Sequence, residues 1–176
     1  MSIPLVRPAT PDDVPALAAL KLATFRETFL EGGFAIPYPP ADLAAFEAAS
    51  YAPAQVAAEL ADPGHATWVA EVADGLAGYA HVGPCKLPHP DVRPEDGELF
   101  QLYVRRVYQG TGVGRRLLDR ALAHLAATRP GPVWLGAWSG NRRAQAVYEQ
   151  RGFRRVGGYG FPVGSWTDEE FIYRRD

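Results

Sequence analysis

The spacing of apolar residues changes along the chain, and each spacing predicts one kind of element. A short strand is expected over Ile3–Arg7, after which apolar residues recur at intervals of three and four, as on one face of a helix. That helix is expected to begin around Thr10, with Pro11 in its first turn, and to end at Gly32-Gly33. Two alanine-rich segments, Asp42–Ala49 and Pro53–Ala61, predict further helices.

The pattern then becomes one of strands alternating with helices. Asp74-Gly75 predicts a hairpin turn between two strands, and a loop with four prolines follows over Pro84–Gly97. The predicted strands are Thr67–Ala73, Leu76–Gly83, Glu98–Arg105, Pro132–Trp138, Arg154–Phe161 and Glu169–Arg174, and the predicted helices among them are Gly112–Ala127 and Arg142–Arg151. The order β-α-α-β-β-β-α-β-α-β-β, with two or more helices after the first strand, predicts an α/β fold in a single domain over residues 1–176.

Composition narrows the class of protein. The chain has 176 residues, 47% of them hydrophobic, which is ordinary for a globular domain. A single cysteine, Cys85, excludes an internal disulfide framework, and the four histidines form no metal-binding motif. No apolar run is long enough to cross a membrane, and the segment MSIPLVRPAT does not resemble a signal peptide. We therefore expect a cytoplasmic protein with no metal and no membrane partner.

The net charge of −2 conceals two halves of opposite sign. Residues 1–100 contain 14 acidic and 5 basic side chains, whereas residues 101–176 contain 6 acidic and 13 basic side chains. A basic half favours a polyanionic ligand and an acidic half favours a cationic one. The alternative is an uneven distribution of solvated surface charges that binds nothing.

One segment carries a glycine pattern between a strand and an amphipathic helix. It reads Gln-x-x-Gly-x-Gly from Gln109 to Gly114 and is followed by Arg115 and Arg116. Free N–H groups at a helix start, together with glycines that leave the backbone uncovered, are typical of an anion site. The spacing lacks the last glycine of the dinucleotide-binding pattern and the Gly-Lys-Ser/Thr of a Walker A loop.

A second segment follows the strand at Trp134–Trp138 and reads Asn-x-x-Ala-x-x-x-Tyr-x-x-x-Gly-Phe from Asn141 to Phe153. The two segments, in this order, resemble the pyrophosphate loop and the closing signature of the GCN5-related N-acetyltransferase (GNAT) superfamily. The chain departs from that signature at Val147, where the family has an aromatic residue before the tyrosine. The resemblance extends over nearly the whole chain.

The resemblance implies a GNAT fold, with a central mixed and twisted sheet of about seven strands flanked by helices. It also implies acetyl-CoA as cosubstrate and direct attack of an acceptor amine on the thioester in a ternary complex. The backbone of the fourth strand is expected to bind pantetheine, and the glycine loop the pyrophosphate. The implied cofactor-binding residues are Leu102, Tyr103, Val104, Gln109, Gly110, Thr111, Gly112, Val113, Gly114, Arg115, Asn141 and Tyr148.

Two residues are expected to be catalytic through the resemblance. Tyr148 occupies the position of the family's proton donor to the coenzyme A sulfur; the alternative is a tyrosine of the core. Glu98 opens the strand where the family often places a base that acts through water, and the alternative is a rim carboxylate. Asn141 can cap the last helix and contact pantetheine as well.

A closer resemblance is to PaiA-type polyamine acetyltransferases, through Thr24–Phe29, Glu98–Val104 and Trp134–Trp138. The chain departs from that subgroup at Ser139, where a glutamate is frequent, and at Tyr159, where a histidine is frequent. Both positions lie near the acceptor in the family.

The resemblance implies that the first helix and the loop after it form one wall of the acceptor cleft, and the charge and aromatic content of this part of the chain predict a small cationic amine as acceptor. Aromatic faces beside carboxylates suit an ammonium group. The aromatic residues are Phe25, Phe29, Phe34 and Tyr38, and the carboxylates are Glu27, Glu31 and Glu98; of these, Phe29, Glu31 and Glu98 are the expected substrate-binding residues. The alternative is that the aromatics belong to the core and the acids promote solubility.

Two other functions are alternatives to this one, an acetyl-CoA sensor and a nucleic-acid-binding domain. A non-catalytic module that senses acetyl-CoA would also need the glycine loop, but it would be free to lose Tyr148. A nucleic-acid partner is not expected, because the arginines surround the glycine loop and no recognition helix is visible. The resemblance leaves a homodimer open.

Overall fold

The computed structural model describes residues 4–176, within which seven strands and five helices form. Their bounds are β1 Leu5–Pro8, α1 Val14–Phe29, α2 Pro40–Tyr51, α3 Pro53–Ala61, β2 Ala66–Val72, β3 Gly75–Pro84, β4 Gly97–Val104, α4 Val113–Thr128, β5 Val133–Trp138, α5 Arg142–Glu149, β6 Arg154–Val163 and β7 Trp166–Arg175. Every predicted element is present. Three helices separate β1 from β2, where the predicted order required at least two, and Ile3 of the first predicted strand lies outside the described residues.

The N-terminal end of α1 shows how the sequence sets an element boundary. Pro11–Asp13 form a 3-10 turn, and α1 continues from Val14. The Asp13 carboxylate accepts a hydrogen bond from the backbone N–H of Thr10 at 2.7 Å, while the Thr10 carbonyl accepts one from the N–H of Asp13 at 2.9 Å. These bonds satisfy backbone donors at the start of the helix, and the helical segment therefore begins near Thr10, as predicted.

All seven strands belong to one sheet, in the order β1-β2-β3-β4-β5-β7-β6. β4 and β5 run parallel, and the other neighbouring pairs run antiparallel. The prediction of a mixed sheet flanked by helices is therefore confirmed.

Helices cover both faces of the sheet. The apolar side of α4, including Leu117 and Leu125, packs on the face that carries Ala80. Leu17 of α1 packs on the opposite face, against Tyr79. Since neighbouring strand residues point to opposite faces, these two contacts define two cores, one on each side of the sheet.

The sheet opens between its two parallel strands. β4 and β5 pair at Gly97 with Val133 and at Glu98 with Trp134, and the described residues show no pairing between them beyond Glu98. The rest of β4 therefore leaves one backbone edge without a strand partner. Such an edge offers N–H and C=O groups to a bound molecule.

A bulge in β4 changes which side chains share a face. Gln101 pairs with His81 and Leu99 pairs with Val82, so Phe100 is an extra residue with no counterpart on β3. Strict alternation would place Leu102 on the face of Glu98, but the bulge shifts the alternation by one residue. As a result, Gln101 lines the same cavity as Glu98.

None of the helices within residues 4–176 combines the length and the apolar character needed to cross a bilayer.

Candidate active site

A cleft of about 680 Å³ lies beside the C-terminal half of β4 and the first turns of α4 and α5. Ten of the expected cofactor-binding residues line it: Leu102, Tyr103, Val104, Gln109, Gly110, Gly112, Gly114, Arg115, Asn141 and Tyr148. Two others do not. The side chain of Val113 is buried in the core, and the hydroxyl of Thr111 donates to the carbonyl of Tyr108 at 2.6 Å within the turn.

The glycine turn leaves its backbone open to the cleft. Gly110 and Gly112 have φ angles of +78° and +88°, in the left-handed region that favours glycine, and Gly112 caps α4. A Cβ atom added at either residue would meet no atom of the chain within 4 Å. The start of a 16-residue helix thus faces open space, an arrangement that suits an anion.

Arginines give the cleft a positive potential. Four line it, Arg106, Arg115, Arg143 and Arg151, against one carboxylate, Glu27. That carboxylate is already engaged, because it accepts a hydrogen bond from Arg105 Nε at 2.7 Å and another from the backbone N–H of Arg106 at 2.9 Å. The excess of positive charge fits a polyanionic ligand. Arg116, expected beside the anion, instead donates to the carbonyl of Pro4 at 2.6 Å.

Helix α5 presents a capping asparagine and a buried tyrosine to this cleft. Asn141 Oδ1 accepts the backbone N–H of Ala144 at 3.1 Å, which is the predicted N-cap. Burial raises the pKa of Tyr148 to about 12, so its hydroxyl is protonated at neutral pH. Within residues 4–176 that hydroxyl makes no hydrogen bond, which leaves its proton available to a molecule in the cleft.

A second cavity, of about 360 Å³, lies against β4 and extends over β5, β6 and β7. Tyr103 lines both cavities, so the two adjoin at β4. Aromatic side chains form much of the wall of this second cavity, which we call the acceptor pocket: Phe25, Phe29, Tyr38, Phe46, Tyr51, Phe100, Tyr103, Tyr159 and Phe161.

Glu98 lies in the acceptor pocket at the point where β4 and β5 separate. Its side chain accepts the backbone N–H of Lys86 at 2.7 Å, and the residue is only 7% exposed. Burial raises the pKa of Glu98 to about 7, although the hydrogen bond from Lys86 acts in the other direction. A carboxylate with that pKa can take up a proton near neutral pH and release it again.

Three further carboxylates line the acceptor pocket and are absent from the residues predicted from sequence: Glu59, Asp168 and Glu170. Burial raises the pKa of Glu170 to about 7, and the neighbouring Asp168 adds to the effect. The available signal was the acidic run Asp168-Glu169-Glu170 at the start of the last predicted strand. Acidic residues within a strand are unusual, since strands are depleted in them.

The other predicted acceptor residues are divided between locations. Phe29 lines the acceptor pocket, whereas Phe34 and Glu27 line the cleft with the arginines. Glu31 is exposed in the turn after α1 and lines neither cavity, so the structure does not bring it to Glu98.

The residues described, 4–176, contain no group of three or more His, Cys, Asp or Glu side chains arranged to hold a metal ion.

Comparison with known proteins finds relatives that match most of the chain. An uncharacterised N-acetyltransferase of Lactobacillus delbrueckii subsp. lactis is 26% identical over 163 residues, which cover 93% of this chain and 91% of the relative. An uncharacterised N-acetyltransferase of Mycobacterium tuberculosis is 33% identical over 147 residues, covering 81% of this chain and 90% of the relative.

Among solved structures, the PaiA N-acetyltransferase of Thermoplasma acidophilum, determined in complex with coenzyme A, has a similar fold. It superposes with a TM-score of 0.76 at 17% identity, over 100% of this chain and 99% of that protein. The sequence profile of the acetyltransferase (GNAT) family matches residues 25–153. The resemblance seen in the two motifs is therefore confirmed: this chain belongs to the GNAT family and is an N-acetyltransferase.

Proposed function

We propose that this N-acetyltransferase moves the acetyl group of acetyl-CoA to the primary amine of a small cationic molecule. One observation carries the proposal. A basic, glycine-lined cleft and an acidic, aromatic pocket adjoin at Tyr103, with Tyr148 on the first side and Glu98 on the second.

The residues of the cleft fit coenzyme A. Its pyrophosphate suits the open backbone at Gly110 and Gly112, where an added Cβ meets nothing, and the arginines of the cleft offset its charge. The unpaired edge of β4 after Glu98 suits the amide groups of pantetheine. When bound, acetyl-CoA supplies an acetyl group activated as a thioester.

Glu98 is proposed as the base. An alkylammonium has a pKa near 10.4, so a proton must leave its nitrogen before that nitrogen can form a bond to the acetyl carbon. The Glu98 carboxylate, directly or through one water, takes that proton and later returns it to solvent. With a pKa of about 7, the group ionises near neutral pH and is still basic enough to accept a proton.

Tyr148 is proposed to assist the departure of the sulfur as its bond to the acetyl carbon breaks. The tyrosine hydroxyl is protonated at neutral pH, so it can donate a hydrogen bond to the leaving sulfur. A thiol has a pKa near 8.5, below that of this tyrosine, so complete transfer of the tyrosine proton is uphill. The hydroxyl therefore acts by stabilising the developing negative charge, and solvent supplies the final proton of the thiol.

The charge of the acceptor pocket supports a cationic acceptor. Four carboxylates line the pocket; one of them, Glu59, is paired with Lys21, and Lys86 supplies the one ammonium group among the lining residues. Aromatic rings around these carboxylates add cation–π attraction. A neutral acceptor would gain nothing from this charge, and an anionic one would be repelled.

The test is a panel of acceptors with release of free thiol as the readout. Alkylamines, amino acids and acidic amines are ranked by kcat/KM at two ionic strengths. Cationic amines should rank first and lose efficiency as salt rises, because the screening length falls from about 10 Å at 0.1 M to about 3 Å at 1 M. A preference for neutral or acidic acceptors, or no effect of salt, would overturn the choice of acceptor.

A further inference from the structure

The chain contains two lysines, Lys21 and Lys86, and they lie in opposite environments. Lys21 is 1% exposed, and its Nζ is paired with a carboxylate oxygen of Glu59 at 2.5 Å. Lys86 is exposed, and it lines the acceptor pocket. The pocket that is proposed to receive a primary amine therefore already contains a primary amine of the chain itself.

Lys86 lies beside Glu98, the proposed base. Its backbone N–H donates to Glu98 Oε2 at 2.7 Å, so the carboxylate is fixed next to the start of this side chain. Burial raises the pKa of Glu98, and the positive charge of Lys86 opposes that rise. The lysine nitrogen thus lies in the same part of the pocket where the amine of a bound acceptor would react.

The Lys86 side chain has room to move within the pocket. Its Nζ lies over the ring of Phe100, 5.4 Å from the ring centroid, and Phe100 is itself a wall of the pocket. A cation–π contact at an exposed side chain is weak, and the four-carbon stem of lysine is flexible. The nitrogen can therefore leave this ring and turn toward Tyr103, where the acceptor pocket adjoins the cleft.

We propose that the enzyme acetylates its own Lys86 when acetyl-CoA is bound and the acceptor pocket is empty. Glu98 takes one proton from the ammonium group, directly or through one water, and later returns it to solvent. The nitrogen then forms a bond to the acetyl carbon as the bond from that carbon to sulfur breaks. The nitrogen loses a second proton to solvent as the amide forms, and solvent supplies one proton to the thiolate of coenzyme A.

The inference rests on the proposed function, since it uses the same base and the same pocket. Its product is a neutral amide in place of the one ammonium group among the residues that line the pocket. An amide nitrogen is no longer a nucleophile, so the reaction stops after one acetyl group per chain.

The test is mass spectrometry of the intact protein after incubation with saturating acetyl-CoA and no acceptor, followed by peptide mapping. The mass should rise by one acetyl group and then stay constant, and the map should place that group on Lys86. The rate per chain should not depend on protein concentration, because the lysine and the cleft belong to one molecule. Modification of Lys21 or of the amino terminus instead of Lys86, or no modification after prolonged incubation, would overturn the proposal.

Variants distinguish transfer by the enzyme from direct chemical reaction with acetyl-CoA. Lys86→Arg should stay unmodified, because a guanidinium group keeps its proton and cannot attack the thioester. At acetyl-CoA concentrations below saturation, Gly112→Asp should acetylate Lys86 at least about tenfold more slowly, since its new carboxylate would occupy the open start of α4. Gly152→Asp, whose residue has a similar positive φ but does not line the cleft, should retain the wild-type rate. Equal rates in the wild type and Gly112→Asp would overturn the proposal.

Thiol release with added amines, measured on the same protein, separates this inference from the proposed function. Transfer to added cationic amines without acetylation of Lys86 would refute self-acetylation and leave the proposed function intact. Acetylated Lys86 without transfer to any added cationic amine would support self-acetylation and refute the proposed choice of acceptor.

Discussion

Arg143 donates a hydrogen bond from Nη1 to Gln109 Oε1 at 2.8 Å and so joins two segments that are distant in sequence. Gln109 in turn donates from Nε2 to the carbonyl of Val104 at 3.1 Å. The glutamine side chain thus connects the end of β4, the glycine turn and the first turn of α5. The bond holds Arg143 at the cleft, where its charge is available to the anion proposed to bind there.

Gly112→Asp should weaken binding of acetyl-CoA at least tenfold, or about 1.4 kcal/mol. The new carboxylate would enter the open space at the start of α4 and repel the pyrophosphate. Calorimetry on the purified variant measures the effect.

Gly152→Asp is the matched control for backbone strain. Its φ of +84° is close to the +88° of Gly112, an added Cβ there also meets nothing within 4 Å, and the residue does not line the cleft. This variant should bind acetyl-CoA as the wild type does. An unchanged affinity in folded Gly112→Asp, or an equal loss in both variants, would refute the phosphate assignment.

Tyr148→Phe should lower kcat by a factor of about ten to a hundred with little change in acetyl-CoA affinity, because it removes the hydrogen bond that forms as the sulfur departs. Steady-state kinetics together with calorimetry separates the two effects. Tyr173→Phe changes another buried tyrosine that lies outside the cleft, and it should leave kcat unchanged. If affinity falls and kcat does not, Tyr148 binds the cofactor rather than assisting catalysis.

The pH dependence of activity should report Glu98. Below its pKa of about 7 the carboxyl group is protonated and cannot accept the proton of the amine, so kcat/KM should fall as the pH decreases through 7. Glu98→Gln should lower activity at least about tenfold at pH 8 and flatten this acidic limb. A Gln variant that retains the limb would assign it to another group.

Stability should depend on pH through Glu170. The pKa of Glu170 is about 7 in the folded protein, above the ordinary value of 4.5, so the folded protein holds the proton of this carboxyl group more tightly than the unfolded chain does. The stability associated with the protonated group is therefore fully present below pH 4.5 and is lost as the pH rises through 7. Glu170→Gln, which removes the buried charge, should therefore raise the free energy of unfolding by up to about 3 kcal/mol at pH 8 and by under about 1 kcal/mol at pH 5. Denaturant unfolding at the two pH values measures this. A variant that is less stable than the wild type at pH 8 would contradict the raised pKa of Glu170.

Much of the fold and half of the site could be predicted from local sequence. The glycine turn and the Asn141 cap need particular residues at adjacent positions, because a left-handed φ and a helix N-terminus are properties of a few consecutive residues. The spacing of apolar residues predicted the strands and helices for the same reason. The sequence by itself therefore determined the family, the segments that line the cleft and the candidate Tyr148.

The acceptor side was decided by contacts between distant segments. Glu98 and Glu170 share a pocket because β5 pairs with both β4 and β7. The spacing of residues within one strand does not predict which strands will pair with it. The extra residue at Phe100 shifts the alternation of β4, and a bulge of this kind is set by pairing with β3. Glu31 lies two residues from Phe29 in sequence, yet it is exposed and does not line the pocket. Only the tertiary structure decides which side chains of separate elements come together.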